Sequence, residues 1–469
     1  MPLLGSGLGY RPQFRAELFE HRARVDFLEI IADHYFDASQ EKLAELDLLA
    51  AHFPLVAHGL DLSLGSAEGL DQSYLDKLAR LIERMNPPWF SEHLCFTKAG
   101  GVSIGHLAAL PYTSAASDAI ARNVDALRQK IKVPLLLENI TTVVPVPGGQ
   151  MDEPEFLARV LERTGCGWLC DVANLHANLV NHGGDMDGGF ERWPWDRLVQ
   201  LHYAGGRWSN GVLIDSHDSA TSEAVWELFG RIAARTPVKA AVLERDERLP
   251  QFTELLAETD RARQLMKGAN CSPPRPSRIN AWAAVSHERE HEQPLAQTQR
   301  LLARLFTDAD FRGDFFADPE AAGRSGLETL DAGAVAHFSN SLTGKRLLDA
   351  RKALPLTAKA LGTQFAPLLR AQLQGPPRAG RHRADAAALV ARLAAGDASP
   401  AWIADLARYE MAFAEATAPG PLLILRRFRW PPQRLAAAAL SGGTPGAPKM
   451  AFCLWLRLPG APKLLHWTL

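Results

Sequence analysis

Cysteine is scarce in this chain. Five thiols, Cys95, Cys166, Cys170, Cys271 and Cys453, are spread over 469 residues, none forms a C-x-x-C pair, and their number is odd. This pattern argues against a disulfide framework, and the reducing cytoplasm is the expected compartment. Charge of one sign is missing too: 51 Lys and Arg stand against 53 Asp and Glu, a formal net charge of -2, which gives no global electrostatic case for nucleic acid. The short basic run at Arg378, Arg381 and Arg383 reads as a solvated linker. No uncharged apolar stretch reaches the ~18 residues that a membrane helix needs. Residues 1–10 lack the basic and long apolar regions of a secretory signal. Neither nucleic acid nor membrane is an expected partner.

What is present is a 47% hydrophobic chain, long enough for two domains. Short apolar runs occupy residues 3–9, 25–31, 54–59, 89–94, 133–138, 167–171, 198–203 and 239–244. Each has the length of a buried parallel strand. Amphipathic stretches separate them, at 41–52, 73–85, 114–129, 153–164 and 222–234, and 250–267 follows the last. Strand–helix alternation with eight strands predicts an α/β fold, a (β/α)8 TIM barrel over 1–267. The proline-rich 268–280 reads as a linker. Residues 281–469 read as a mainly helical α+β domain, helical over 281–374 and mixed α/β over 381–469, with strands at 421–430 and 450–458.

The chemistry gathers at the strand ends. The third run ends in His58, the fourth carries Glu92 and His93, and the fifth ends in Glu138. The sixth ends in Asp171, the seventh carries His202 and the eighth ends in Glu244. All strand C-termini of an α/β barrel face one mouth, where active sites sit. Residues far apart in sequence therefore converge on one cavity. Two further groups follow the sixth and seventh strands: Asp171-x-x-Asn174-x-His176 at a strand-to-loop exit, and Asp215-x-His217-Asp218 in a loop. So many buried ionisable groups would be costly without a compensating cation. Imidazole and carboxylate ligands suit Fe, Mn or Zn, and the candidates outnumber what one ion can use. A multinuclear site follows, with Glu138 a candidate bridge. Glu29, Asp33 and His34, at the end of the second strand, are candidates to face substrate, as are Asn139 and His176. Gly5, Gly7 and Gly9 form a G-x-G-x-G run whose spacing does not fit a dinucleotide fingerprint.

The segments Ala57-His58-Gly59, Ser91-Glu92-His93-Leu94, Leu137-Glu138-Asn139, Asp171-Val172-Ala173-Asn174, Asn181-His182-Gly183, Leu201-His202-Tyr203-Ala204-Gly205, Ile214-Asp215-Ser216-His217-Asp218 and Leu243-Glu244-Arg245-Asp246 occur in this order. Together they resemble the multinuclear non-heme iron dependent oxidative enzymes, the family that includes the methanobactin-biosynthesis oxidase. The resemblance implies a barrel similar to xylose isomerase. It further implies two or three irons in mixed Fe(II)/Fe(III) states, O2 as co-substrate, and a Cys-containing precursor peptide as the molecule oxidised. Carried over by motif, Glu138, Asp171, His202 and Glu244 hold one iron, and His58 and His93 a second with Glu138 bridging. Asn174, Asp215 and His217 hold the third. Asn174 stands where some members carry His, and an amide oxygen is a weaker iron ligand than imidazole. Residues 403–412, IADLARYEMA, look like part of the small partner proteins that accompany these oxidases and help bind the peptide, here fused in cis. The rival readings are a divalent-metal sugar isomerase or an endonuclease on the same barrel, and a non-enzymatic metal- or peptide-binding protein. An isomerase is expected to place a lysine near its metals, and none of the eight strand ends supplies one.

Overall fold

A computed structural model describes residues 1–268, 292–318, 320, 326–373, 375–377, 381–397, 400–416, 422–458 and 464–469. Cys271, nearly all of the expected linker, residues 281–291 and Arg378 lie outside the described residues. Eight parallel strands close into a barrel: β1 (Gly5–Gly9), β2 (Leu28–Ile31), β3 (Leu55–His58), β4 (Phe90–His93), β7 (Leu135–Glu138), β8 (Gly167–Asp171), β9 (Leu198–Tyr203) and β12 (Ala240–Leu243). Around the barrel the order is β1-β12-β9-β8-β7-β4-β3-β2. All eight expected strands are there, each within the limits read from the sequence. The helices between them run at Gln40–His52, Gln72–Met85, Ser114–Lys130, Glu153–Thr164, Val172–His182 and Glu223–Arg235, with Phe252–Lys267 after β12.

Alternation along each strand sorts side chains into two cores. Outward residues such as Leu28, Leu55, Phe90, Leu137, Cys170 and Leu201 pack beneath the helices. Inward, the floor of the barrel is an apolar plug of Phe27, Val56, Trp89, Leu136, Leu169, Ala240 and Val242. Space there is short: a Cβ on Gly7 would come within 2.6 Å of the Phe27 carbonyl oxygen, so β1 accepts only glycine at that point. Above the plug the inward positions turn polar, with Glu29, Ser91 and Gln200 buried. The strand-end ligand candidates form the next layer up.

Two antiparallel hairpins, unread in the sequence, extend loops above the mouth: β5 (Phe96–Ala99) with β6 (Val102–Ala108), and β10 (Gly205–Ser209) with β11 (Val212–Ser219). The apolar core does not stop at the barrel, because Leu295, Leu302, Leu305, Phe306, Phe338 and Leu342 belong to the outer cluster. Gln299, on the helix Glu292–Thr307, docks on the loop after β3: its side chain accepts from Ala67 N (2.9 Å) and donates to Gly65 O (2.7 Å). The helix Ala332–Ala353 lies within the region expected to be helical, and its far end leads into a second core around Leu354, Phe365, Leu389, Leu406 and Leu435. The helix Trp402–Ala416 then backs a three-stranded antiparallel sheet of β13 (Leu422–Phe428), β14 (Ala451–Arg457) and β15 (Leu465–Thr468). Ile424, Phe428, Cys453 and Trp455 fill its inner face. Its outer face exposes Leu423, Leu425, Phe452, Leu465 and Trp467. The sequence reading did not contain β15 or the helix Pro432–Ser441. Among the described residues no helix is long and apolar enough to cross a membrane.

Candidate metal centre

Strand register assembles the centre. β4 pairs with β7 so that His93 lies opposite Glu138. β3 pairs with β4 so that His58 lies opposite Ser91, and β8 with β9 so that Asp171 lies opposite His202. Glu244 follows directly on β12. These side chains form two groups whose potential ligand atoms lie within 4.8 Å of one another: His58, His93 and Glu138, and Glu138, Asp171, His202 and Glu244. Glu138 belongs to both. Its Oε2 lies 3.4 Å from His58 Nε2 and 3.2 Å from His93 Nε2. Its Oε1 lies 3.1 Å from His202 Nδ1, which is itself 3.3 Å from Glu244 Oε2.

The far side of each ring is tied down. His58 Nδ1 is 2.8 Å from Ser91 Oγ, which also reaches the Ala57 carbonyl. His93 Nδ1 is 3.1 Å from the Gly59 carbonyl oxygen. A carbonyl only accepts, so His93 Nδ1 always carries a proton, and the exchangeable one is on Nε2, which a cation between His93 and Glu138 would replace. Partners of this kind fix ring orientation and tautomer in metal sites.

Whether these residues fit a metal is tested by what they leave undone. Glu138 Oε2 is buried and, although close to two imidazoles, makes a hydrogen bond to neither; Asp171 Oδ2 is buried without a hydrogen-bond partner. The other Asp171 oxygen accepts from Asn174 N at 2.6 Å. Buried polar atoms left in this state are expensive, and a cation seated between the groups satisfies them. Electrostatics agree. Burial, Asp215 and Glu138 push the Asp171 carboxyl well above its ordinary range. Burial would lower His93, but Glu138, Glu92 and Glu244 bring it up to about 9. Burial would raise Glu138, but His93, His202 and His58 hold it at about 2. His202 is likewise raised, its burial outweighed by Glu244, Glu29 and Glu138. Carboxylates crowded in this way attract protons or cations, and a divalent ion replaces the protons.

Two placements differ from the sequence reading. Asn174 and His176 do not lie on a strand-to-loop exit, because the helix Val172–His182 begins at once with Asp171 as its N-cap. An Asp at this point reads as a helix N-cap as readily as a ligand. Asn174 Oδ1 accepts from Thr141 Oγ1 (2.5 Å) and its Nδ2 donates to Asn139 O (3.2 Å). Nor are Asp215 and His217 in a loop: both lie on β11. His217 adopts φ +48°, a left-handed conformation that costs a non-glycine residue energy and often marks a functional position. Its Nε2 lies 2.6 Å from Asp215 Oδ1, and its Nδ1 lies 3.2 Å from Asp246 Oδ2 and 3.6 Å from Glu244 Oε2. Asp215 and His217 therefore adjoin the four-residue group, yet among the described residues they complete no trio of His, Cys, Asp or Glu ligand atoms.

The expected substrate-facing residues scatter. Glu29 is buried against His202 and Gln200. Asp33 accepts from Leu60 N and Tyr74 Oη, each at 2.9 Å, and burial beside Glu92 lifts its carboxyl to about 6. Asn139 clamps the Asp171 backbone from both sides. His34 is exposed in the turn after β2, and His176 is half-buried. No sequence signal gives Ser91, Gln200 or Asp246 a role of its own, although strand alternation alone places Ser91 and Gln200 on the same inward face as His93 and His202.

Comparison with known proteins bears on this centre. Residues 5–267 match the family model described as RiPP precursor modification enzyme MbnB/TglH/ChrH. A UPF0276 protein of Caulobacter vibrioides is 37% identical over 263 residues, 56% of this chain and 94% of that protein. Another from Chromobacterium violaceum is 34% identical over 264 residues, 56% of this chain and 95% of that protein. Among solved structures, the TTHB071 protein from Thermus thermophilus is 18% identical, with 54% of this chain and 97% of that chain covered and a TM-score of 0.35.

Proposed function

This chain belongs to the RiPP precursor modification enzyme MbnB/TglH/ChrH family, and from that premise we propose that it is an O2-dependent multinuclear non-heme iron enzyme that oxidises cysteine residues of a ribosomally made precursor peptide. The observation that carries the reading is the posture of Glu138, whose two oxygens face two separate ligand groups. In this reading His58, His93 and Glu138 hold one iron, and Glu138, Asp171, His202 and Glu244 a second. Asn174, Asp215 and His217 complete a third position. The ligand set is nitrogen and oxygen throughout, which suits iron. Two neutral imidazoles with one shared carboxylate favour Fe(II), whereas three carboxylates with one imidazole favour Fe(III), so the unequal charge supports mixed valence.

Bound iron would supply one-electron redox chemistry with O2 as the oxidant. The chain supplies the rest. Ser91 and the Gly59 carbonyl hold the rings of His58 and His93. The apolar plug excludes water from below, and the hairpins Phe96–Ala108 and Gly205–Ser219 wall the mouth. Residues 281–469 act in this reading as the peptide-recognition partner fused in cis, supported by the apolar side chains that the outer face of β13–β15 leaves exposed.

The test begins with anaerobic purification, iron quantitation and Mössbauer spectroscopy. O2 uptake is then measured with a Cys-containing precursor peptide encoded beside the gene, and with its Cys→Ser form. Two or more irons per chain, with O2 consumed only with the cysteine peptide and a matching change in peptide mass, is the expected result. Zn or Mn without O2 consumption refutes it in favour of an isomerase-like or endonuclease-like enzyme. Iron bound without turnover refutes it in favour of a binding protein.

A further inference from the structure

Beneath the ligand layer lies a buried polar chain that the proposed reaction does not use. Glu29, on β2, is 3% exposed, and Gln200, on β9, is fully buried. Trp89 Nε1 donates to Gln200 Oε1 at 2.7 Å. An indole N–H only donates, so the Gln200 amide is oriented with its NH2 toward Glu29. That NH2 donates to Glu29 Oε2 at 2.6 Å. Glu29 Oε1 lies 2.9 Å from His202 Nε2. The other ring nitrogen, Nδ1, faces Glu138 and Glu244.

We propose that Glu29 is a positioning residue that holds His202 in the Nε2–H tautomer, so that Nδ1 is free to bind metal. The proposal rests on the reading that His202 is a metal ligand. A carboxylate 2.9 Å from a ring nitrogen requires a proton between them, and with that proton on Nε2 the Nδ1 lone pair points into the four-residue group. Gln200 makes the choice sharp. Its Nε2 also lies 3.0 Å from His202 Nε2 and would donate to that nitrogen if it were unprotonated. The proton would then sit on Nδ1 and block the metal. Glu29 prevents this by accepting the Nε2 proton, while its charge-assisted bond to one of the two Gln200 N–H groups fixes the amide beside it. Glu29 can also be grouped with His58 and His202 as a potential ligand trio. However, its Oε2 is already engaged by Gln200, and His202 Nδ1 faces the group that is richer in carboxylates.

The experiment titrates the metal-free full-length chain with Co(II), whose ligand-field bands report coordination, in wild type, Glu29→Gln, Trp89→Phe and the reciprocal double variant Glu29→Gln with Gln200→Glu. Partners of this kind are worth about 10–100-fold in metal affinity. Glu29→Gln is expected to weaken one site by that factor and to alter its bands. The new amide either faces the Gln200 NH2 donor to donor or turns its own NH2 toward His202 Nε2. Trp89→Phe, which frees the Gln200 amide to turn without touching a ligand, is expected to weaken the same site less, and it stands in if Glu29→Gln fails to fold. The double variant re-forms each hydrogen bond, because the carboxylate now at position 200 accepts from Trp89 and from the amide now at position 29. It is expected to restore affinity and bands. Wild-type affinity and spectrum in both Glu29→Gln and Trp89→Phe overturn the proposal. Loss of a whole ion that the double variant does not recover also overturns it, because Glu29 is then itself a ligand. A wild type that takes up no cobalt overturns the metal reading beneath it, a failure distinct from the other two.

Discussion

The metal-free chain is expected to lose stability as pH rises from 6.5 through 9, and His93 supplies much of the effect. Its imidazole packs against His58 and faces Glu138 and Glu92. Burial alone would favour the neutral ring, but Glu138, Glu92 and Glu244 outweigh it and lift the folded-state value from 6.5 to about 9. A raised value means that the folded chain binds this proton more tightly than the unfolded chain. The stabilisation is therefore complete below 6.5 and disappears as pH climbs through 9. The magnitude is about 3 kcal/mol. Asp171, raised by burial and by Asp215 and Glu138, contributes with the same sign. Glu138, held at about 2, acts only on the acid side of this window. Metal reverses the dependence, since it binds the deprotonated ligands, and the stabilisation it adds grows with pH. Urea unfolding of chelator-treated and metal-loaded protein across this range, for wild type and His93→Gln, measures both slopes. A metal-free midpoint that does not fall between pH 6.5 and 9, or that falls equally in His93→Gln, refutes the reasoning.

Three further outcomes are expected. Glu138→Gln removes the one side chain shared by both ligand groups, so metal analysis should show both ions depleted, whereas Asp171→Asn should deplete chiefly one. Asp385→Ala leaves Arg346 without the fully buried carboxylate that it grips at 2.7 and 2.8 Å. The cost is about 3–5 kcal/mol, and hydrogen exchange should show it as opening of the helices Ala332–Ala353 and Arg381–Arg392 while the barrel strands stay protected. Leu425→Ser with Trp467→Ser, both on the exposed face of the sheet, should raise KM for the precursor peptide with kcat and melting temperature unchanged. A change in kcat alone would count against peptide recognition by that face.

The barrel was legible because its signal is redundant. Eight apolar runs at regular spacing allow few other folds, and each of the last six carries its own polar residue at or next to its end. Convergence of His58, His93, Glu138, Asp171, His202 and Glu244 followed from topology alone. The details that failed are those where one residue type serves two purposes. Asp171 reads equally as a ligand and as a helix cap, and it is placed so that one oxygen caps Asn174 N while the other stays unsatisfied. Asp215 and His217 look like loop residues because the short hairpin strand Val212–Ser219, VLIDSHDS, carries more polar than apolar side chains. Glu29 is in sequence a candidate for either a substrate-facing or a structural role, because a carboxylate near a strand end has no pattern that separates outward display from burial beneath a ring. Among the described residues the extra strand Leu465–Thr468 pairs only with β14, and its four residues, LHWT, are too few to show alternation.

The barrel interior also explains why these ligands can coexist in the apo chain. Charged groups cannot be buried on an apolar floor without partners. Between the plug and the metal layer the chain inserts Glu29, Ser91 and Gln200, whose bonds run upward to His202 and His58 and downward to Trp89. Trp89 belongs to the apolar plug yet offers its indole N–H to the layer above. Dielectric and charge therefore change in steps rather than at one boundary. A substitution in the plug that tilts Trp89 is expected to reach the metal layer through Gln200 and Glu29. Val56→Ala can test that coupling: it should leave the ligands in place yet shift the Co(II) bands of the His202 site more than those of the His58–His93 site, and equal shifts at both would show that the polar layer transmits nothing specific.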